Sequence, residues 1–175
     1  MVELKCPNTK NRYELLYVFH MNNNPNWKIN LIKACFKERI IVPKQGSMSD
    51  FDYFKVLIDL YESTDHVRHD DYFLLLDKKP IARLYVMYRS IESVDLSCFV
   101  VPAFQHQGYA TEATKLIETE LFLNQHMKYI TIMDKTESKV SSRIAENLGY
   151  DYIKEKDYYQ KNNPYIKGQG VKLWE

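Results

Sequence analysis

One uncharged segment, LSCFVVPAFQHQGYAT at residues 96–111, combines residue types and spacing that could bind an anion. It contains no Asp, Glu, Lys or Arg, although 27% of the chain is charged. Burial explains the apolar residues at its start but not the polar Gln105, His106 and Gln107. A strand that runs through a glycine loop into a helix offers free backbone N–H groups and the positive end of a helix dipole. The segment therefore predicts an anion site around Gly108 that uses no cationic side chain.

The spacing of this loop separates it from two common phosphate-binding motifs. A dinucleotide fingerprint requires G-x-G-x-x-G, and a Walker loop requires Gly-Lys followed by Ser or Thr. The segment has one glycine, and Tyr109 follows it. The pattern that fits is Q-x-x-G-x-A, from Gln105 to Ala110. With its flanks, VDLSCFVVPAFQHQGYATEA resembles the acetyl-CoA-binding motif of the GNAT superfamily of N-acetyltransferases, in which a strand, the motif and an amphipathic helix follow in this order.

The resemblance extends over residues 70–157. The segment SKVSSRIAENLGYDYI resembles the second half of the family's motif, and the wording ATEA and AENLGY is most similar to the ribosomal-protein-alanine acetyltransferase branch. The resemblance implies an α/β (α+β) fold with a mixed, mostly antiparallel central sheet of six to seven strands flanked by helices. It also implies acetyl-CoA as the acetyl donor and a primary amine of a small molecule, peptide or protein N-terminus as the acceptor.

The resemblance further implies which residues contact CoA. Backbone groups of Phe99, Val100 and Val101 would face the pantetheine arm. The pyrophosphate would be enclosed by Gln105, His106, Gln107, Gly108, Tyr109, Ala110 and Thr111. Ser138 stands where the family usually has an asparagine that binds the CoA arm, and its shorter hydroxyl would bond less well or through water. Ala145 stands where many relatives have the tyrosine that protonates the leaving thiolate, although the ribosomal-protein branch often has alanine there.

Acetyl transfer to an amine needs a base, because an alkyl ammonium has a pKa of about 10.4. We expect Asp95 to be that base, since the family often places an acidic residue at this point of the strand, with Glu92 as a second candidate acting through water. The equal alternative is that Asp95 is an ordinary charge at a strand entrance. Ser141 and Tyr150 are candidates for the acid, and solvent is a third because a thiolate with a pKa of about 8.5 leaves readily.

The cysteines and histidines favour structural roles. Cys98 alternates with Val94, Leu96 and Val100 on an apolar face, which favours a core thiol over a nucleophile. With Cys6 and Cys35 it forms no CxxC pair, so all three are expected to be reduced and buried. The remaining histidines outside the loop lack ligand spacing for a metal and are His20, His66, His69 and His126. His66 and His69 are expected on a solvated loop.

Hydrophobic periodicity predicts the elements that position these residues. Strands are expected at residues 2–6, 72–76, 81–88, 94–101, 129–133, 151–156 and 171–174. Helices are expected at residues 13–21, 27–36 and 51–61, from about Gly108, and after Ser138 as N-cap to a C-terminal cap at Gly149. A polar turn at residues 77–80 would join the second and third strands, and the fourth strand is expected to be central in the sheet.

Length and charge limit the remaining classes. A chain of 175 residues with 45% hydrophobic residues predicts one domain, with residues 1–70 as a helical acceptor-side region, 71–157 as the acetyl-CoA-binding core and 158–175 as a C-terminal strand region. A net charge of +1 gives no support to a nucleic-acid or membrane partner. We expect a cytoplasmic monomer or homodimer, because no apolar leader or span is present. The alternative function is a catalytically degenerate CoA-binding or protein-interaction module.

Overall fold

The computed structural model describes residues 1–6, 9–64, 67–133 and 140–166. The strands are β1 Val2–Lys5, β2 His69–Leu76, β3 Lys79–Tyr88, β4 Ser93–Val100, β5 Tyr129–Ile132, β6 Asp151–Ile153 and β7 Tyr158–Asn162. The α-helices are α1 Thr9–Asn23, α2 Trp27–Lys37, α3 Asp50–Glu62, α4 Tyr109–Thr119 and α5 Val140–Asn147. A single 3-10 turn, Pro102–Phe104, precedes α4, and a π-helical turn, Glu120–Asn124, continues it.

The strands form one seven-stranded sheet in the order β1-β2-β3-β4-β5-β7-β6. Every neighbouring pair is antiparallel except β4 and β5, which are parallel. This confirms the predicted mixed, mostly antiparallel sheet flanked by helices, and it confirms β4 as the central strand. A parallel pair needs a crossover between its strands, and α4 provides that crossover here.

Helices cover both faces of the sheet and divide the core in two. On one face, α4 and α5 pack with inward residues of β3, β4 and β5, such as Leu84, Leu96 and Ile130. On the other face, α1 and α3 pack with residues of β2, and Phe54 and Phe73 are fully buried there. Alternate residues of a strand point to opposite faces, and β2 accordingly supplies Leu74 to one core and Phe73 to the other.

Local sequence signals account for several element ends. Ser49 accepts the Asp52 N–H at 3.0 Å and begins α3. After α5, Gly149 has φ +76°. The Gly149 N–H donates to Glu146 O at 3.1 Å, and the Tyr150 N–H donates to Ala145 O at 2.9 Å. These are the two hydrogen bonds of a Schellman cap. The C-terminal cap predicted for this helix is therefore confirmed.

Two strand predictions need correction. The turn between β2 and β3 is shorter than predicted, because Asp77 and Lys78 both take positive φ and form a two-residue hairpin, so that Pro80 lies in β3 beside a register shift. The segment predicted as one strand at residues 151–156 ends at Ile153, and β7, which was not predicted, returns beside it. The strand expected at residues 171–174 lies outside the described residues.

No helix in the described part of the chain is long and apolar enough to cross a membrane.

Candidate functional site

A cavity of about 850 Å³ opens where β4 and β5 separate. Its described lining comes from the end of α1, from β3, β4 and β5, from the turn between β3 and β4, and from the β4–α4 loop, α4 and α5. The lining residues are Asn23, Met87, Arg89, Asp95, Leu96, Ser97, Cys98, Phe99, Val100, Phe104, Gln105, His106, Gly108, Tyr109, Ala110, Thr111, Thr114, Ile132, Met133, Val140, Ser141 and Ile144. The cavity lining has two parts. The loop wall is formed by Leu96–Val100 and Gly108–Thr111, and the acceptor wall is formed by Met87, Arg89 and Asp95.

The cavity exists because the parallel strands diverge. The β4–β5 ladder covers only Ser93–Asp95, opposite Tyr129–Thr131, whereas β3 stays paired with β4 as far as Val100. The edge of β4 beyond Asp95 therefore faces the cavity on the side where β5 would otherwise continue. Backbone N–H and C=O groups on such an edge are strong hydrogen-bonding groups that a ligand could pair with.

The loop wall ends at the N-terminus of α4. Gly108 is the N-cap residue with φ +84°, and a Cβ added there would meet nothing within 4 Å. Glycine is thus required by the left-handed backbone and not by lack of space. The first N–H groups of a helix have no partner within the helix, and Gly108, Tyr109, Ala110 and Thr111 all line the cavity. These groups and the helix dipole suit an anion.

The two glutamines of the motif hold the loop in shape. Gln105 Nε2 donates to Val100 O at 3.0 Å, and Gln107 Nε2 donates to Ala103 O at 3.0 Å. Their side-chain amides are therefore directed at the protein backbone, and Gln107 is not among the lining residues. His106, between them, is exposed with φ +61° and lines the cavity.

Of the three residues expected to contact the pantetheine arm, two line the cavity. Phe99 and Val100 do, and Phe99 is half-exposed. Val101 is buried, packs in the core on the α1 and α3 face, and donates its N–H to Ile81 O at 2.9 Å. The β4 contribution therefore ends one residue earlier than expected, and Ser138 lies outside the described residues.

Asp95 lies at the fork, at the last paired position of β4 with β5. Its Oδ2 accepts a hydrogen bond from Arg89 Nε at 2.5 Å, and Arg89 Nη2 lies 2.5 Å from the same oxygen in an ion pair. Its Oδ1 accepts from the Thr131 hydroxyl, which comes from the opposite strand. Asp95 is 12% exposed and Arg89 48% exposed, so the carboxylate is fixed while the guanidinium reaches towards solvent.

Glu92 occupies a different place. Its carboxylate pairs with Lys128 at 2.6 Å, and its backbone O accepts from the N–H groups of Lys128 and Tyr129. It does not belong to the described lining of the cavity. The structure therefore brings Asp95 to the cavity but not its proposed substitute.

The two candidate acids are separated as well. Ser141 lines the cavity from the first turn of α5. Tyr150 is buried in the α4 and α5 core, outside the described lining, and burial together with nearby Glu118 raises the pKa of its hydroxyl far above the ordinary value. A buried hydroxyl of this kind is a poor proton donor to the cavity. Ala145 is fully buried, and its methyl side chain offers no proton donor at that position.

The free cysteines differ from the expectation at two positions. Cys35 is buried as predicted, but Cys6 is exposed. Cys98 packs against the core and also lines the cavity, and burial raises the pKa of its thiol to about 12. A thiol that stays protonated is a weak nucleophile, which agrees with rejecting a Cys98 nucleophile.

The prediction that His69 lies on a solvated loop is wrong. His69 begins β2, next to Glu62 and Asp71, and the ligand atoms of these three residues lie within 4.8 Å of one another. Two arginines already occupy this cluster: Arg12 and Arg83 contact Asp71 at 3.0 and 2.6 Å. Their charge opposes a metal cation at this position. His66 lies outside the described residues.

The sequence pattern did not predict Met87 and Arg89, the other two members of the acceptor wall. Arg89 lies in the β3–β4 turn, and Met87 pairs in register with Asp95. The proximity of Arg89 to Asp95 depends on hairpin register, which spacing along the chain does not determine. The sequence does hold one signal for Arg89. It is a cation at one end of the short turn predicted between the strands at residues 81–88 and 94–101, and the anion Asp95 lies at the other end.

Several solved structures of other proteins are similar in fold to this chain. A spermidine N-acetyltransferase from Vibrio cholerae, solved with CoA and spermine, is similar with a TM-score of 0.57 and 15% identity over 87% of this chain and 82% of that chain. The chain has the GNAT fold.

Two further GNAT-fold structures agree. PaiA N-acetyltransferase from Thermoplasma acidophilum, solved with coenzyme A, has a TM-score of 0.58 and 10% identity over 93% of this chain and 99% of that chain. Campylobacter jejuni N-acetyltransferase PseH has a TM-score of 0.51 and 14% identity over 91% and 94% of the two chains. The sequence matches no family model and no curated protein. At these identities the likeness establishes the GNAT fold alone.

Proposed function

We propose that this chain transfers the acetyl group of acetyl-CoA directly to a primary amine. The observation that carries the proposal is that one cavity joins an anion-binding loop wall to a fixed carboxylate. The open β4 edge and the α4 N-terminus suit a long phosphorylated arm, and Asp95 lies at the point where that arm would end at the strand fork. Structural neighbours are acetyltransferases, two of them solved with CoA, which supports the proposal.

The residues present fit acetyl-CoA as a co-substrate. Backbone amides of Gly108, Tyr109, Ala110 and Thr111 would hold the pyrophosphate, since this wall offers N–H groups and a helix dipole. Backbone groups of Phe99 and Val100 would hold the pantetheine arm along the open β4 edge. Gln105 and Gln107 keep the loop in its shape through their bonds to backbone carbonyls. When bound, acetyl-CoA supplies an acetyl thioester.

Asp95 is the proposed base. It takes a proton from the acceptor's ammonium, and the neutral nitrogen then bonds to the acetyl carbon as the C–S bond breaks. Thr131 and Arg89 hold the carboxylate in a single orientation at the fork. Ser141 or water gives a proton to the departing thiolate and is reprotonated by the second proton that the acylated nitrogen releases, so the products are an amide and CoA with its thiol. Asp95 returns its proton to solvent after release.

A catalytically degenerate CoA binder is the second candidate, favoured by one observation. Both Asp95 oxygens already accept hydrogen bonds from protein donors, and Ala145 provides no acid. Such a chain would bind CoA without turnover. The ribosomal-protein branch, the monomer or homodimer state and the cytoplasmic location stay predictions from the sequence.

The test is a thiol-release assay with acetyl-CoA and a mixture of primary amines, with acetylated products identified by mass spectrometry. The proposal predicts amine-dependent release of CoA thiol and a product heavier by one acetyl group. Binding of CoA without turnover of any amine would favour the degenerate binder. Absence of CoA binding would overturn both.

A further inference from the structure

The acceptor wall carries one positive and one negative charge, and this pair points to the class of acceptor. Apart from His106, Arg89 and Asp95 are the only described lining residues whose side chains carry a full charge at neutral pH. Their charges cancel. A polyamine has several ammonium groups and would need several carboxylates, whereas the described part of this cavity offers one.

The existing Arg89–Asp95 contact sets a condition on any acceptor. An ammonium group that approaches Asp95 must share a carboxylate whose Oδ2 already accepts a hydrogen bond from Arg89 Nε and forms an ion pair with the guanidinium. The two cations then repel each other. An acceptor that also carries a carboxylate removes this conflict, because its carboxylate gives the guanidinium a second partner. The four charges then alternate in sign.

Arg89 is suited to this exchange. A guanidinium has five N–H donors in a planar fork, and in Arg89 the Nε–H donates to Asp95 Oδ2. The side chain is 48% exposed, so a carboxylate can approach it from the open side, while Asp95 is held from behind by Thr131. Arginine also binds carboxylates in two-point geometry, which fixes the orientation of the bound molecule.

Resting on the proposed function, we propose that the acceptor is a small amino carboxylate, whose ammonium binds Asp95 and whose carboxylate binds Arg89. Met87 and Phe99, which line the same cavity, contact the remaining part of the molecule. The reaction is the one given above, with the α-ammonium as proton donor to Asp95. The carboxylate takes no part in bond formation and serves to orient the amine.

The test compares common L-amino acids with their C-terminal amides in the thiol-release assay, with spermidine beside them. Loss of one charge-assisted contact corresponds to a fall of about tenfold to a hundredfold, so kcat/KM is expected to be higher for the acid by that factor. The amine of an amide loses its proton more readily than that of the acid. A preference for the acid therefore cannot come from amine basicity.

Arg89→Gln is expected to bring the acid-to-amide ratio close to one, and Arg89→Lys to restore part of it. Lys128→Gln is the matched control, because Lys128 is a partly exposed cation paired with Glu92 outside the cavity lining, and it should leave the ratio unchanged. Equal use of acid and amide, a preference for spermidine, or an equal fall for both in Arg89→Gln would overturn the proposal.

Failure of the proposed function gives a different result. If no amine releases thiol, calorimetric titration of the same amino acids and amides into the protein saturated with CoA still tests the site. Binding of the acid that is lost in Arg89→Gln would keep the amino carboxylate site and reject catalysis. No binding of any acid would reject the site.

Discussion

The two walls of the cavity present different kinds of chemical group. The loop wall presents backbone groups, from the open edge of β4 and the first turn of α4. The acceptor wall presents side chains, with Asp95 held between Arg89 and Thr131. A backbone wall can bind any ligand with phosphates on a long arm, while a side-chain wall distinguishes one small molecule from another. If the proposed function holds, recognition of the acetyl donor and recognition of the acceptor can therefore change independently.

The largest expected effect is on the acceptor wall. Asp95→Asn keeps the size of the side chain but removes the base, so kcat/KM should fall by about 10²- to 10⁴-fold, the range for loss of a general base. The Kd for CoA should not change, because Asp95 is no part of the loop wall. Thiol release and calorimetry measure the two quantities.

Glu92→Gln is the matched control for this variant, since Glu92 is a carboxylate on the neighbouring turn outside the cavity lining. It should retain the wild-type rate. A normal rate in Asp95→Asn together with a low rate in Glu92→Gln would show that Glu92, and not Asp95, is the general base.

The next effect is on the loop wall. Gly108→Val forces a β-branched residue into φ +84° and displaces amides that are expected to bind the pyrophosphate. Loss of two charge-assisted bonds corresponds to a rise in the Kd for CoA of about a hundredfold or more. Calorimetric titration with CoA measures it.

Gly46→Val controls for backbone strain, because Gly46 has φ +58° and a Cβ there also meets nothing within 4 Å. Both variants should lose similar stability, and Gly46→Val should bind CoA normally. Equal CoA affinity in Gly108→Val and wild type would show that the loop does not bind the phosphates.

A smaller effect concerns stability on the face of the sheet that carries α1. Burial, together with the charge of nearby Arg83, lowers the pKa of His20 to about 4. The unfolded value is about 6.5, so the unfolded chain binds a proton first as the pH falls. Stability from this group is complete above pH 6.5 and is lost as the pH falls towards 4, by at most about 3 kcal/mol.

His20→Phe should lose less free energy of unfolding between pH 7 and pH 4, since an uncharged ring packs against Phe19 and Phe54 at the same place. Urea unfolding at several pH values measures this. His126→Asn is the control, because His126 is exposed. An identical pH dependence in wild type and His20→Phe would show that His20 does not drive the acid side of the profile.

The smallest effect is expected at Ser141. Ser141→Ala removes a hydroxyl that lines the cavity, yet water can protonate a thiolate of moderate pKa. We expect kcat to fall by less than about tenfold, with Ser142→Ala as the neighbouring control. A fall above about a hundredfold in Ser141→Ala alone would make Ser141 the acid.

The difference between the walls also explains what the sequence could predict. Gly108, Pro102 and the helix pattern that follows encode the backbone locally, so the loop, α4 and the Gly149 cap are confirmed. The pairing of Arg89 with Asp95 depends on how β3 and β4 align, and the fork depends on where β5 ends. Hairpin register and the point where a strand ends are set by pairing in the sheet, and neither leaves a pattern in the local sequence.

The same reason accounts for the missed strand. Tyr158 and Tyr159 are good strand residues, but β7 inserts between β5 and β6, and only the paired sheet defines that position. Asp95 was identified through its strand position, and the structure adds its partners. Whether Asp95 acts as a base stays a prediction.

The central claim is that the loop wall binds CoA through backbone amides. Calorimetric titration of the wild-type protein with CoA, with ATP as a competing phosphate ligand, tests it directly. We predict saturable binding of CoA, weaker binding of ATP, and loss of the CoA signal in Gly108→Val but not in Gly46→Val. Absence of CoA binding to the wild-type protein, or binding that Gly108→Val leaves unchanged, would contradict the claim.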